Sequence, residues 1–572
     1  MAVEEPSQLA NNVGSSQRVP GPMRPRPRDL TERMNASAKA VGLGVLIALL
    51  GIGTFGRFYS ARFNGLVSTT AMEIGDIAQQ LRAGHGMSTK VIRPLALQYA
   101  SPDAEGTIPE MLHAPLYPYL LSLLFRVRGG GDASVAMFNG LMFLLTGWVI
   151  YAICQLVWDR TVALLSVIVY FVSVDAIGQA LTGAGASLAG LLFTVAIWAA
   201  IRGRPAPAGT NTDVSDQQRV PLIWPTIAAA VFGFACLAGL TSLLLFIPLA
   251  ILATAAGRGR WRQIGIMVVV VAVVLAPWAV RNWRVSGTVV PALASYEIMT
   301  HTESYPGETI FQQMPGQAPS ALSFVVQHPG EIWNKVARGL TLVYRAGPRI
   351  LNPYLFPFFI LGAFLFGDAI LSRRLWRVVV AMFILQALSI CLYRLEINGI
   401  GVLLPIGMCL AVAGLVVGLR STQASRSVQI AVGTAIVGLA LFPTVSSAIL
   451  GKKMPSSRTQ ASLQLIRQGL TDDAVIVTDD PAGVARYANK TAVLLPARPE
   501  GLEMLHRRGI TPDYVYLSSA IGETIPRKAF EPWVKLLRSK EASKRLGKLL
   551  PLARGEMLFQ LVDKRKGAGG ND

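Results

Sequence analysis

Two carboxylates three residues apart, Glu73 and Asp76 in the stretch MEIGDIAQQLRAGHGMSTKVIRPLAL (72–97), are the first residues of this 572-residue chain with chemistry to offer. Helical spacing puts both on one face. Together they could bind a divalent metal ion, the candidate cofactor. A carboxylate partly withdrawn from water also has a raised pKa and takes a proton from a hydroxyl more readily. The plainer alternative is a solvated surface helix, since acid pairs at this spacing are common on exposed faces. Lys90 and Arg93 follow in the same stretch. Carboxylates beside cations can activate a nucleophile while a phosphate leaving group is held, although cations near a bilayer also meet lipid headgroups.

His113 opens the stretch HAPLYPYLLSLLF (113–125), whose two prolines fix a bend. Its ring could orient a phosphate or serve as an ordinary hydrogen-bonding residue. Arg281 and Arg284, in APWAVRNWRVSG (276–287), project from the end of an apolar run. Two guanidiniums there could clamp a phosphate, and snorkelling to lipid phosphate accounts for them equally.

The elements that must carry these residues are set by composition. The chain is 52% hydrophobic and 15% charged, more apolar than a single water-facing globule needs. Apolar runs long enough to cross about 30 Å of hydrocarbon recur along it. The expected spans are 39–58, 133–156, 161–178, 183–201, 223–240, 242–256, 263–280, 351–371, 377–393, 397–418 and 428–449. The fold class is therefore a polytopic α-helical membrane protein of about eleven transmembrane helices. The first run shows no small-residue cleavage pattern and reads as an uncleaved anchor. The short apolar stretch 114–125 is read as an interfacial or re-entrant helix, because a twelfth span would invert the charge pattern of the later loops.

Basic residues sit in the N-terminal tail (Arg24, Arg26, Arg28, Arg33), in 257–262, in 372–377 and at Arg420 and Arg426, which places all four on the cytoplasmic side of the plasma membrane. That orientation divides the chain into a disordered cytoplasmic tail (1–38), a transmembrane domain (39–454) with large outer loops at 59–132 and 281–350, after helices 1 and 7, and an extracytoplasmic segment (455–572). In that last segment DDAVIVTDD, TAVLLP and DYVYLSS read as strands between helical stretches, a small α/β domain on a parallel sheet. The net charge of +20 fits membrane lipids as partners; no basic helix with interleaved aromatics points to nucleic acid. The four cysteines all lie in apolar runs and read as buried residues.

Taken in order, the first-loop acid followed by IAQQLRAGHG and RPL, then HAPLYPYLLSLLF, then APWAVRNWRVSG resemble the membrane-embedded C-type glycosyltransferases. The branch is the one similar to dolichyl-phosphate-mannose protein mannosyltransferases and bacterial lipid-linked sugar transferases, and the likeness covers most of the chain. It implies hexosyl or pentosyl transfer at the outer face, with inversion, from a polyprenyl-phosphate-linked sugar to a glycan, lipid or protein acceptor. Glu73 falls on the family's first-loop acid, as general base or metal ligand, with Asp76 beside it. Arg281 and Arg284 become candidates for the donor phosphate, with Lys90, Arg93 and His113. The chain departs from the pattern at Glu73, where Asp is commoner, and at 394–405. There Asn398 and Gly399 replace an Arg-Tyr pair, leaving Arg394 or Glu396 to substitute. A non-catalytic scaffold of envelope glycan assembly and a lipid or solute transporter are the competing readings.

Overall fold

The computed structural model describes residues 27–203, 221–254, 259–365, 370–395, 397–450, 460–539, 546–552 and 555–561. The chain divides into two compact units, 1–49 and 50–572. The described part of the first is the N-terminal half of helix α1 (Pro27–Arg62), which begins ahead of the expected tail boundary at 38. Proline at the first helical position is preorganised for helix, and no glycine or second proline follows before the apolar run.

In the second unit come α2 (Thr69–Ala83), α3 (Leu116–Arg128), α4 (Asp132–Val157), α5 (Arg160–Phe171), α6 (Val174–Thr182), α7 (Ala186–Arg202), α8 (Ile223–Ala238), α9 (Phe246–Ala253) and α10 (Arg260–Ser286). After these follow α11 (Ala321–Gln327), α12 (Pro329–Ile350), α13 (Phe356–Leu365), α14 (Ile370–Leu392), α15 (Leu404–Ser421) and α16 (Arg426–Leu450). Among the described residues six helices are long and apolar enough to cross a membrane, or seven if α5 and α6, bent by 52°, form one broken span. Ser173 caps α6 at that break, its hydroxyl accepting from Ala176 N at 3.3 Å. Each expected span falls on helix, but those at α7, α8, α9 and α13 are shorter than a full crossing. The molecule is a multi-pass membrane protein. The 13-residue α3 spans about 20 Å at 1.5 Å per residue, too short to cross, in keeping with an interfacial helix.

The C-terminal segment holds α17 (Gln460–Gly469), α18 (Pro481–Gly483), α19 (Gly501–Arg507), α20 (Ile521–Thr524) and α21 (Arg527–Arg538). Its sheet is not self-contained. Besides the short pair β1 (Ser88–Thr89) and β3 (Ile108–Pro109), the segment between α1 and α4, expected from sequence as the first outer loop, supplies β2 (Val91–Ile92). This strand joins β4 (Val475–Thr478), β5 (Thr491–Leu494), β6 (Tyr514–Leu517), β7 (Lys548–Pro551) and β8 (Met557–Gln560) in a six-stranded sheet of order β2-β5-β4-β6-β8-β7. The strands β2, β5, β4 and β6 are parallel, with Val91 opposite Ala492 and Ile92 opposite Val493, while β8 and β7 add antiparallel. The three strand stretches read from the sequence are β4, β5 and β6.

Alternation along these strands buries both faces, as parallel sheets require. Val91, Ile476, Ala492 and Tyr516 face a core closed by α17 and Val484. Ile92, Val477, Val493 and Val515 face a second core that also takes in Leu95 and Met111 of the first outer loop, Tyr296, Ile310 and Phe311 of the second, and Trp533 of α21. Three chain segments hundreds of residues apart thus share one hydrophobic core. Lys335 of α12, fully buried, adds a polar clamp: its ammonium donates to the carbonyls of Glu297 and Ile298 at 2.9 Å and of Tyr393 at 2.5 Å.

Truncation at the seam should be costly. Ile92→Ala is expected to lower stability by about 2–5 kcal/mol, the range for large-to-small changes in a core. Thermal unfolding in detergent checks it, against the exposed Leu465→Ala on α17, expected within about 0.5 kcal/mol of the parent.

Candidate active site

The first outer loop folds so that a helix, a turn and a proline bend meet around one carboxylate. On α2, Glu73, Asp76 and Gln80 are all buried, which removes the solvated-helix alternative. The helix stops at Gly84, whose φ of 96° is the left-handed conformation that closes helices. Gly75 lets the Arg486 side chain lie against α2, since a β-carbon there would stand 3.1 Å from its Nε. Arg486 donates to Gly75 O at 3.3 Å, Gly130 O at 2.6 Å and Asp132 Oδ1 at 2.8 Å, tying α2, the start of α4 and the C-terminal segment together.

Glu73 meets two cations. Its Oε1 accepts from Arg93 Nη2 at 2.6 Å and its Oε2 lies 2.6 Å from His113 Nε2. Arg93 is buried, with its guanidinium 5.7 Å from the ring centroid of Phe311, a residue of the second outer loop. A second buried carboxylate, Glu110, accepts from the backbone N–H of Leu112 at 2.6 Å and of His113 at 2.8 Å, which fixes the turn presenting the imidazole.

These contacts set the charges. Burial on its own would raise Glu73, but the Arg93 guanidinium and the His113 ring outweigh it and hold the carboxyl well below the ordinary carboxylate range. This is opposite to the raised value expected from partial desolvation alone. Burial would likewise lower His113, yet its hydrogen bond to Glu73 and the charges of Glu110 and Glu73 raise it above 6.5. Arg93 too is shifted up despite burial, chiefly by Glu73. Placing charge inside protein costs several kcal/mol per ion before pairing, so such a cluster at the mouth of a loop marks a candidate site.

Asp76 has different work. Its Oδ1 accepts from Gln80 Nε2 at 3.1 Å, and its Oδ2 from Thr89 Oγ1 at 2.7 Å and Lys90 N at 2.9 Å, so it anchors the β1–β2 strand to α2. Burial raises its pKa in spite of those three donors. The two acids therefore do not converge on one ion. Among the described residues no group of three or more His, Cys, Asp or Glu side chains is gathered to hold a metal. With Glu73 already flanked by two cations, the donor set does not fit a divalent ion.

Of the other expected residues, Arg281 stands next to the cluster. It donates to the carbonyls of Glu110 and of Met87, the latter at 2.9 Å, and lies 4.7 Å from the Trp278 ring centroid, so it braces the loop that carries His113. Arg284 is exposed, and Lys90 points elsewhere, its Nζ donating to Asn489 O at 3.0 Å. Arg394 pairs with Glu308 at 2.9 Å; Glu396 lies outside the described residues. Asp480, not singled out from sequence, is the C-terminal segment's contribution. It caps α18, accepting from Gly483 N at 3.0 Å, and α18 packs on α2. Burial, with the negative charges of Asp479, Glu73 and Glu556 nearby, pushes its carboxyl up to about 6. Its neighbour Asp479 accepts from Ser518 N at 2.7 Å, bridging the carboxyl ends of β4 and β6. The one signal in the sequence was the position of Asp479 and Asp480 just past a strand.

The cluster predicts a pH profile for stability. Glu73, depressed when folded, contributes stability that is complete above its ordinary 4.5 and lost as pH falls towards its folded value. His113, raised when folded, contributes stability that is complete below 6.5 and lost as pH rises through its folded value. Unfolding midpoints in detergent should therefore peak between those pH values. Glu73→Gln should flatten both limbs and cost about 3–5 kcal/mol near the maximum, because it strands two buried cations.

No family model and no curated protein matches the sequence. Solved structures do. ArnT from Cupriavidus metallidurans in the apo state aligns with a TM-score of 0.55 at 14% identity over 92% of this chain and 98% of that one. The same protein bound to undecaprenyl phosphate gives 0.54 at 14% identity over 92% and 99%. The oligosaccharyltransferase AglB from Archaeoglobus fulgidus, in complex with an inhibitory peptide and a dolichol-phosphate, gives 0.52 at 13% identity over 84% of this chain and 69% of that one. The chain has the fold of the membrane-embedded C-type (GT-C) glycosyltransferases.

Proposed function

We propose that this protein is an integral membrane glycosyltransferase that moves a sugar from a polyprenyl-phosphate-linked donor to a glycan, lipid or protein acceptor at the outer face of the membrane. The observation that carries the reading is the Glu73 carboxylate held ionised between Arg93 and His113. The fold supports the class of reaction, since the ArnT and AglB structures were solved with undecaprenyl phosphate and a dolichol-phosphate.

In such a transfer the acceptor attacks the anomeric carbon, the bond from that carbon to the phosphate oxygen breaks, and the electron pair leaves with the polyprenyl phosphate. Negative charge grows on the departing phosphate, where cations held in place stabilise it most. Arg93 and His113, kept charged by Glu73 and Glu110, are those cations. A carboxylate tied to two cations is a weak base. Once the donor phosphate takes over their N–H groups, burial dominates at Glu73 and its pKa climbs, which makes it able to take the acceptor's proton. Donor binding would then switch on the base, so that the acceptor is activated only when the sugar is in place. Arg281 positions the loop and is not itself a donor ligand in this scheme.

Purified protein given a panel of radiolabelled polyprenyl-phosphate sugars and envelope extract should transfer label. Glu73→Gln, shown folded by its melting curve, should lose at least about 10²-fold in rate, the lower end for a general base. Chelator should leave transfer unchanged. Absence of label transfer across the whole panel with folded parent protein would contradict the reading and favour a scaffold.

A further inference from the structure

Beside the C-terminal turns of α2 lies an open cavity of about 430 Å³, within the size range of small-molecule sites. Its walls come from the last turns of α2, from the β1–β2 segment, and from α17 and the residues after α18, so it exists only because the first outer loop and the C-terminal segment are joined through β2 and β5. Four cations line it: Arg82, Lys90, Arg467 and Arg486. The lining holds one carboxylate, Glu105, itself paired with His85, and Asp472 lies near enough to act on Lys90 and Arg467. Arg486 is already balanced by Asp132. Arg82 and Arg467 are exposed to the cavity and have no hydrogen-bond or ion-pair partner among the described residues.

Gathering like charges is unfavourable unless something relieves it. At Lys90 burial lowers the pKa and Lys490 lowers it further, against the opposing charges of Asp76, Asp472 and Glu105. Gln79, Gln80 and Asn489 also line the space, placing polar side chains beside the charges. Guanidinium forks with an ammonium and amides match the geometry and charge of a phosphate group better than those of a lone carboxylate.

We propose that this cavity binds the phosphate group of a phosphorylated sugar or a lipid headgroup, held by Arg82, Arg467 and Lys90. The site does not depend on the transferase reading, because none of these side chains belongs to the Glu73 cluster. It adjoins the Asp76 anchor of α2: Gln80 lines the cavity and donates to Asp76, and the Lys90 backbone N–H donates to the same carboxylate.

The test uses full-length protein in nanodiscs of neutral phosphatidylcholine, titrated calorimetrically with glucose 6-phosphate and, separately, glucose, at roughly physiological ionic strength. A second arm replaces part of the lipid with phosphatidylglycerol and repeats the glucose 6-phosphate titration. The proposal expects saturable binding of glucose 6-phosphate, none of glucose, and at least a tenfold loss of affinity in the double variant Arg82→Gln, Arg467→Gln. The lysine double variant Arg82→Lys, Arg467→Lys should recover part of that loss. If phosphatidylglycerol instead blocks glucose 6-phosphate in the parent and not in the glutamine variant, the phosphate source is a headgroup and the site stands. Because both arginines are exposed, the variants should melt with the parent when no ligand is present. Equal affinity of parent and glutamine variant for glucose 6-phosphate, or equal binding of glucose, would overturn the proposal.

Discussion

A carboxylate withdrawn from water must find cations or give up its charge, and the segment between α1 and α4 is organised around how Glu73 solves that problem. Its partners come from positions 20 and 40 residues further along the loop, the Arg93 and His113 contacts both at 2.6 Å. Holding them there requires the turn fixed by Glu110, the brace of Arg281 and the aromatic face of Phe311 from the second outer loop. Each support is a hydrogen bond or ring contact from a neighbouring loop or helix end.

The same loop is welded to the C-terminal segment. The two-residue strand β2 would have no stability alone, and its pairing to β5 gains it by placing Val91 and Ile92 in separate cores. Arg486, passing over Gly75, adds an ion pair from the same direction. The C-terminal sheet therefore acts as a backing plate for α2, and Asp480 at its edge brings a further negative charge towards Glu73. The α/β segment thereby shapes the electrostatics of the site.

Much of this architecture was legible in the residues because it is local. Apolar run length marked the helices, short β-runs between helical stretches marked β4, β5 and β6, and two prolines marked the bend at His113. What was not legible depends on pairing at a distance. Val91–Ile92 is too short to read as a strand, and nothing in its neighbourhood names position 492 as its partner. Spacing placed Glu73 and Asp76 on one face, correctly, but whether a carboxylate serves as a site or as an anchor is decided by what opposes it, Arg93 and His113 for one and Thr89 with Gln80 for the other. Burial alone predicted a raised pKa at Glu73, and two cations reversed its sign. The phosphate candidates Lys90 and Arg284 diverged from the cluster because loop geometry, unlike helix phase, does not follow from spacing.

The central claim is that Glu73 is ionised in the free protein and released as a base when a polyprenyl phosphate draws off its cations. Isotope-edited infrared difference spectroscopy of glutamate-labelled protein, with Glu73→Gln as the blank, would follow its carboxyl across pH in the absence and presence of a polyprenyl phosphate. The account predicts a titration midpoint below the ordinary glutamate value in the free protein and above it with the lipid bound. A midpoint already raised in the free protein, or one that the lipid leaves unmoved, would contradict it.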